Sequence, residues 1–274
     1  MFTEVEKKIF NKIKKIVGKE NFLTSESSMA PYKNGWRTQS GDCKGVIIPS
    51  SLLEMWKILD ILVNNHKIIL LQASNTSLTG GSTPNGRYDR DLFIINTLKL
   101  NNIILINNAK QVVAFPGSTL YKLEKKLQKY KRAPHSEIGS SCIGASIVGG
   151  ICNNSGGALI KRGPAYTELS LYAKVNKNGK LQLVNNLGIN LGNSPEKILS
   201  NLDNGNIQSN KLFKTKRKAS SLDYKHVIKD VDARSPARYN ADKKRLYEAS
   251  GCAGKLAVFA VRLDTFEKEK NEIT

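Results

Sequence analysis

Two stretches of small and hydroxylated residues carry the chemistry open to this sequence. The first, Gln72-Ala-Ser-Asn-Thr-Ser-Leu-Thr-Gly-Gly-Ser82, follows directly on an apolar run ending at Leu71. Small side chains let a backbone approach a ligand closely, and glycine permits the positive φ that turns successive amides inward. Inward amides with serine and threonine hydroxyls form a nest for phosphate oxygens without any formal charge. The second stretch, residues 138–157, is almost free of charge and has glycines at 139, 144, 149, 150, 156 and 157 beside hydroxyls and two asparagines. Such a chain can lie along a flat ring system, offering backbone donors and acceptors with little bulk. Either stretch alone is ordinary loop punctuation. Both together favour a bound ligand.

Other chemistries are excluded by pattern. No G-x-G-x-x-G follows the first apolar strand, so a Rossmann reading fails, and no G-x-x-x-x-G-K-[ST] occurs. A G-x-S-x-G elbow and H-E-x-x-H are absent as well. The cysteines Cys43, Cys142, Cys152 and Cys252 form no C-x-x-C pair, and His66, His135 and His226 are far apart. No metal is therefore expected, and reduced, mostly buried thiols are. His135, in Ala133-Pro-His-Ser136, is the one histidine placed near the second stretch. No catalytic acid or base is assigned.

The elements that must position these stretches are legible from periodicity. Val5, Ile9, Ile13, Ile16 and Val17 predict an amphipathic helix from Glu4 to Val17 whose apolar stripe faces a core. Its lysines would also suit an anionic membrane. Gly45-Val-Ile-Ile-Pro49 predicts a buried strand. Ser51-x-x-Glu54 predicts a capping box, followed by a helix through Leu52, Met55, Trp56, Leu59, Leu62 and Val63. Lys67-Ile-Ile-Leu-Leu71 predicts a second strand, parallel to the first across a right-handed crossover. Further strands are predicted at Phe93-Ile-Ile95 and Val112-Val-Ala-Phe115, then a helix capped by Ser118. Residues 168–175 and 180–184 predict a hairpin around Asn178-Gly179, and 256–261 a late buried strand. Residues 200–244 read as polar loops and short helices.

A chain of 274 residues with 40% apolar content buries an ample core without staples. No run approaches the ~18 apolar residues of a spanning helix, and residues after Glu4 lack a signal-peptide pattern. A cytoplasmic protein is the expectation. The net charge of +20 would suit a nucleic-acid or membrane-surface binder. Lysine far exceeds arginine and is spread along the chain, apart from a cluster in residues 211–218. That pattern favours compositional drift, and nucleic acid is not expected as a partner.

Longer strings carry a resemblance. Gln72-Ala-Ser-Asn-Thr-Ser77, Gly81-Ser-Thr-Pro-Asn-Gly86, Pro134-His-Ser-Glu-Ile-Gly-Ser-Ser-Cys-Ile-Gly-Ala-Ser146 and Gly149-Gly-Ile-Cys-Asn-Asn-Ser-Gly-Gly157 resemble the respiratory, quinone-dependent D-lactate dehydrogenases. Arg162-Gly-Pro-Ala-Tyr-Thr-Glu168, Ser235-Pro-Ala-Arg-Tyr-Asn-Ala241 and Ser250-Gly-Cys-Ala-Gly-Lys-Leu-Ala-Val-Phe-Ala-Val261 extend it nearly to the C-terminus. The resemblance implies an α+β, two-subdomain FAD-binding fold of the vanillyl-alcohol-oxidase, or p-cresol-methylhydroxylase, type. A small parallel α/β subdomain and a larger, mainly antiparallel one are expected. Residues 1–38 would be a lead-in, 39–209 the FAD-binding domain, and 210–274 a basic region with the final strand.

The resemblance also implies site residues. Ala73, Ser74, Asn75, Thr76, Ser77, Gly81 and Ser82 would surround the pyrophosphate of a non-covalently held FAD. Gly139, Ser140, Ser146 and Gly156 would lie along the rest of the nucleotide and the isoalloxazine, with Val258 touching it through its backbone. Ser77 and Gly80 stand where the family tends to have glycine and glutamate. A positive φ at Ser77 would cost of order 1 kcal/mol. The implied reaction is oxidation of D-lactate to pyruvate, with electrons passed to a membrane quinone at the inner face of the plasma membrane. The family's groups for the lactate carboxylate and proton fall mostly beyond Thr274. A truncated or split frame, weakly active alone or working with a complementing C-terminal chain, is one expectation. A non-catalytic flavin-binding remnant is the other.

Overall fold

A computed structural model of the chain describes residues 3–36, 40–135, 141–156, 162–205, 207, 211–234 and 246–268. In chain order the elements are α1 (Glu4–Val17), β1 (Phe22–Leu23), α2 (Glu26–Lys33), β2 (Gly45–Ile47), α3 (Leu52–Asn64), β3 (Ile68–Gln72) and β4 (Leu92–Asn96). There follow β5 (Ile103–Ile106), β6 (Gln111–Ala114), α4 (Leu120–Gln128), β7 (Arg132–Ala133), α5 (Ile147–Cys152), β8 (Ser170–Val175) and β9 (Leu181–Asn185). The last are α6 (Pro195–Asp203), α7 (Tyr224–Val227), β10 (Ala257–Asp264) and β11 (Phe266–Glu267). Two compact units result. One holds residues 1–100, 173–183 and 191–206; the other holds 101–172, 184–190 and 207–274.

The first unit is built on a four-stranded sheet of order β1-β2-β4-β3. Strands β2 and β3 both run parallel to β4, which lies between them, while β1 is antiparallel to β2. The parallel β-α-β expectation is met, with β4 inserted at its centre. All five residues of β4 are buried, as an uninterrupted apolar run in a parallel sheet demands. Helix α1 begins at a reciprocal capping box between Thr3 and Glu6 and buries Ile9, Phe10, Ile13 and Val17. Phe10 meets Phe22 and Phe93 edge-on, at centroid distances of 5.0 and 6.2 Å. The Lys44 ammonium lies 2.5 Å from the Glu6 carboxylate and, with the Thr3 amide, pulls its pKa down to about 2.

Helix α3 buries Leu52, Met55, Trp56, Ile58, Leu59 and Leu62, and its N-terminus corrects the predicted box. Ser51 Oγ accepts the Glu54 amide at 3.1 Å as expected, but the Glu54 carboxylate accepts from Ser50 N, at 2.7 Å. The orphan amides of Leu52 and Leu53 instead donate to the two carboxylate oxygens of Asp203, at the end of α6, at 2.9 and 3.2 Å. That geometry places a carboxylate on the positive end of α3 and locks α6 to it.

A second, five-stranded sheet has the order β5-β6-β10-β8-β9, with β5 and β10 antiparallel to β6. The predicted strand at 112–115 is β6, and the late one extends to Asp264. Its core gathers Val112, Ala114, Leu120, Leu123, Leu127, Ile147, Ile151, Val258, Val261 and Leu263. The cap of α4 is Thr119, whose Oγ1 accepts the Lys122 amide at 3.2 Å. Ser118, predicted for that role, is fully buried and ties Phe115 N to Asn102 O. The β8–β9 turn closes with Gly179 N on Asn176 O and Asn176 N on Lys180 O, with Gly179 at φ 74°. It is a longer turn than a two-residue hairpin, with the glycine in the left-handed position.

The capping geometry of α3 yields a prediction. Asp203→Ala should lower unfolding stability by about 1–2 kcal/mol, the scale of a lost cap with two bonds, and Asp203→Asn by less. Urea denaturation reads both; equal stability of Asp203→Ala and the parent would mean that water caps α3 as well as the carboxylate does.

Candidate functional site

The loop after β3 is fixed from below before any ligand is considered. Gln72 ends β3 in register with Asn96 at the end of β4. Its buried amide donates to Tyr32 O and Ser82 O, at 2.9 and 2.8 Å, so it joins both ends of the 73–82 loop to α2. Asn96 Nδ2 donates to Gln72 Oε1 at 3.3 Å and to Ala73 O at 3.2 Å, while Thr97 N donates to Gln72 O at 2.8 Å. Buried amides left without these partners would each cost a few kcal/mol, so loop and strand ends are fixed together. Sequence reasoning missed Gln72 and Asn96 as positioning residues. The available signal was a polar amide closing each of two apolar runs.

Within the loop, Asn75 and Gly80 adopt left-handed backbone, at φ 53° and 68°. Ser77 does not, so the strain expected there is absent, and Gly80 supplies the permissive position. Asn75 is an internal staple: its Nδ2 donates to Asn34 O at 2.8 Å. Its Oδ1 accepts from Ser82 Oγ at 2.7 Å and Thr83 Oγ1 at 2.8 Å. Ser77 Oγ pairs with Thr79 Oγ1 at 2.9 Å. The hydroxyls of Ser77 and Ser82 are thus engaged inside the loop. The backbone N–H groups of Thr76 and Gly81 find no acceptor among the described residues. A Cβ on Gly81 would meet one atom within 4 Å, Thr79 Oγ1 at 3.8 Å. The loop has no charged side chain, so its recognition chemistry is that of amides around an anion. Beyond it, Gly41 passes so close to residues 84–86 that a Cβ would lie 2.8 Å from their backbone, which requires glycine there.

In the second unit, Gly139 and Ser140 lie outside the described residues. Ser146 is the N-cap of α5, its Oγ accepting the Gly149 amide at 3.0 Å. Among the described residues, a Cβ at Gly156 would meet nothing within 4 Å. Val258 points its side chain into the core, 3% exposed, leaving only backbone for any ligand. Two residues before Gly156, Asn154 sits at φ 45° with Oδ1 and Nδ2 both buried and without hydrogen-bond partners among the described residues. Buried polar atoms are normally satisfied, so an orphaned amide beside an open glycine suits a polar ligand edge. Taken separately, the first unit offers turn amides that suit an anion and the second an uncharged stretch that suits a polar ligand edge. Ala73, Ser74, Asn75, Thr76, Ser77, Gly81 and Ser82 belong to the first unit; Ser146, Gly156 and Val258 belong to the second.

His135 is buried, its Nδ1 without a partner among the described residues, and burial, helped by the Arg162 guanidinium, pulls its pKa down to about 4. It is therefore neutral at pH 7. The unfolded chain binds the proton below about 6.5, so stability is full above that pH and is lost as pH falls toward 4.

Two predictions follow from these geometries. Asn75→Ala should destabilise by about 1–3 kcal/mol, losing three side-chain bonds and placing a Cβ residue at positive φ; Asn75→Gly should recover about 1 kcal/mol of it. Thermal unfolding of the pair decides, and an Ala variant as stable as the Gly variant would refute the backbone part. For His135, lowering pH from 7 to 4.5 should remove roughly 2–3 kcal/mol of stability, and His135→Phe should flatten that slope. Denaturant titrations at both pH values check it; an unchanged slope would assign the loss to other groups.

Comparison with known proteins bears on both units. The FAD binding domain family matches residues 43–184. The quinone-dependent D-lactate dehydrogenase of Escherichia coli is 55% identical over 273 residues, which is 99% of this chain and 48% of that protein. The enzyme of the same name from Haemophilus influenzae is 52% identical over 96% of this chain and 47% of its own length. The chain spans about half the length of the curated relatives it matches. Among solved structures, alkyldihydroxyacetonephosphate synthase superposes with TM-score 0.59 at 10% identity, covering 96% of this chain and 41% of that one. A substrate-bound p-cresol methylhydroxylase gives 0.57 at 14% identity, covering 98% and 45%. These likenesses show the expected fold, with its parallel and antiparallel sheets. The chain belongs to the FAD binding domain family.

Proposed function

We propose that this chain is the flavin-holding portion of a quinone-dependent D-lactate dehydrogenase, with FAD bound non-covalently. The single observation that carries the reading is the uncharged 73–82 loop, stapled at its base and presenting turn amides. Ala73 to Ser77, with Gly81 and Ser82, take the pyrophosphate, chiefly through backbone. Gly139, Ser140, Ser146 and Gly156, with the backbone of Val258, take the remainder of the nucleotide. Residues 39–209 form the core of this FAD-binding region.

FAD, held by these residues, would supply the redox chemistry for oxidation of D-lactate with a membrane quinone as electron acceptor. The described residues orient the cofactor and exclude bulk from its faces; none is assigned as acid or base. With about half of the relatives' length present, lactate oxidation belongs to the whole enzyme, and a complementing chain is one way to supply the rest. Membrane association is proposed from the quinone dependence named for the relatives; no helix among the described residues is long and apolar enough to cross a bilayer.

The test exploits the open space at Gly156. The parent chain should gain flavin absorbance and quench flavin fluorescence on titration with FAD. Gly156→Val should keep the parent's thermal stability yet weaken FAD binding by tenfold or more, because its side chain meets the ligand and not the protein. A parent that takes up no flavin, or a valine variant that binds FAD equally well, would overturn the assignment.

A further inference from the structure

We propose that Cys152 and Cys252 are a paired dithiol site that a hydroperoxide oxidises to an intramolecular disulfide. Their sequence positions are a hundred residues apart, yet the backbone brings them side by side within one unit. Gly251 N donates to Ile151 O at 3.0 Å and Ala253 N donates to Cys152 O at 3.0 Å, so Cys252 is held between two bonds to the end of α5. Cys252 is part of the core around β6, β10, α4 and α5, and Cys152 packs against that core. The two side chains are close enough to shift each other's acidity in opposite directions. Four cysteines are present and none is disulfide-bonded; Cys43 lies in the other unit, against Met29 Sδ at 3.8 Å.

The pair is chemically asymmetric. The neighbouring Cys152, with backbone groups at Gly254 and Leu256, pulls the Cys252 thiol below its ordinary range, while Cys252 and burial push Cys152 up. Cys252 is thus the nucleophile and Cys152 the resolving thiol. The Cys252 thiolate attacks one peroxide oxygen: an S–O bond forms, the O–O bond breaks, and the departing alkoxide or hydroxide takes a proton. Cys252 is then a sulfenic acid. Cys152 sulfur attacks it, an S–S bond forms, the S–O bond breaks, and hydroxide leaves with the Cys152 proton as water. The net change is two thiols and one hydroperoxide to one disulfide, one water and one alcohol, or a second water from hydrogen peroxide. A dithiol reductant reverses it. The bond would pin the end of α5 to the turn before β10, closing a long loop in the unfolded chain. This inference needs no cofactor and stands apart from the flavin reading.

The experiment uses the full chain carrying Cys142→Ser, which removes the exposed thiol, and hydrogen peroxide as the probe. Before alkylation, mass spectrometry should show a chain about 2 Da lighter than the reduced form. Two alkylation sites should be lost, the peptides holding Cys152 and Cys252 should be joined, and dithiothreitol should restore the starting mass. Oxidation should raise Tm by several degrees, and the cross-link should form at least tenfold faster in the native chain than in urea. With Cys152→Ser, Cys252 should instead progress to sulfinic acid. Both thiols still alkylated after peroxide, sulfinic acid without cross-link in the parent, or equal rates in urea would each overturn the proposal.

Discussion

The geometry of the first unit depends on one buried amide. Gln72 stands where the apolar strand β3 ends, and a side-chain amide at that depth must find partners on both its ends or raise the energy of the fold. It finds Tyr32 O, Ser82 O and the amide of Asn96, which in turn holds Ala73 O. Satisfying one group therefore fixes the start of the 73–82 loop, its far end and the adjoining helix together. The loop does not have to order itself on meeting a ligand, because its ends are set by the sheet. Ligands of open α/β sheets collect at the carboxyl ends of parallel strands for the same reason: backbone there is held by strands and still faces outward.

The second unit reaches a similar end by different means. Its glycine-rich stretch is anchored by the buried cap of Ser146 on α5 and by the apolar packing of Ile147 and Ile151. Past the helix end the chain turns through the left-handed Asn154 to Gly156; among the described residues the Asn154 amide has no partner and nothing crowds Gly156. Core packing defines where the segment starts, and small residues leave its outward side clear. Neither unit places a lysine or arginine in these stretches. Anion recognition is left to amides whose direction is set by the backbone.

Much of this was legible in the sequence where one signal dominated. Helix α1 and strands β2, β3 and β4 have strong periodicity or unbroken apolar runs, and they appear where predicted. Strand β5 and helices α2 and α6 were not read. Ile103-Ile-Leu-Ile106 is only four residues between asparagines, α2 carries Pro31 and a weak apolar stripe, and α6 is short. Caps were misjudged by one residue at Ser118 and Thr119 because adjacent hydroxyls offer the same local signal. Only the buried bond from Ser118 to Asn102 O decides between them. Asp203 could not be read as the cap of Leu52 and Leu53, because that contact spans some 150 residues. The loop's composition was legible, but which residue would take positive φ was not. Ser77 was weighed only conditionally, and the turn places the positive φ at Asn75 and Gly80.

The charge of +20 bears on what the site needs. If lysines were required to hold the anionic part of the ligand, they would be found among residues 73–82 or 141–156, and both stretches lack them. Several lysines are instead on helix surfaces. In α1 they flank a buried stripe, and in α4 Lys125 lies over the exposed Tyr121 ring at 4.4 Å. A charge carried on solvated helix faces can change without altering amide directions in the loop. The basic excess and the ligand chemistry are therefore separable properties of this chain: surface composition sets the first, and buried amides and left-handed turns set the second.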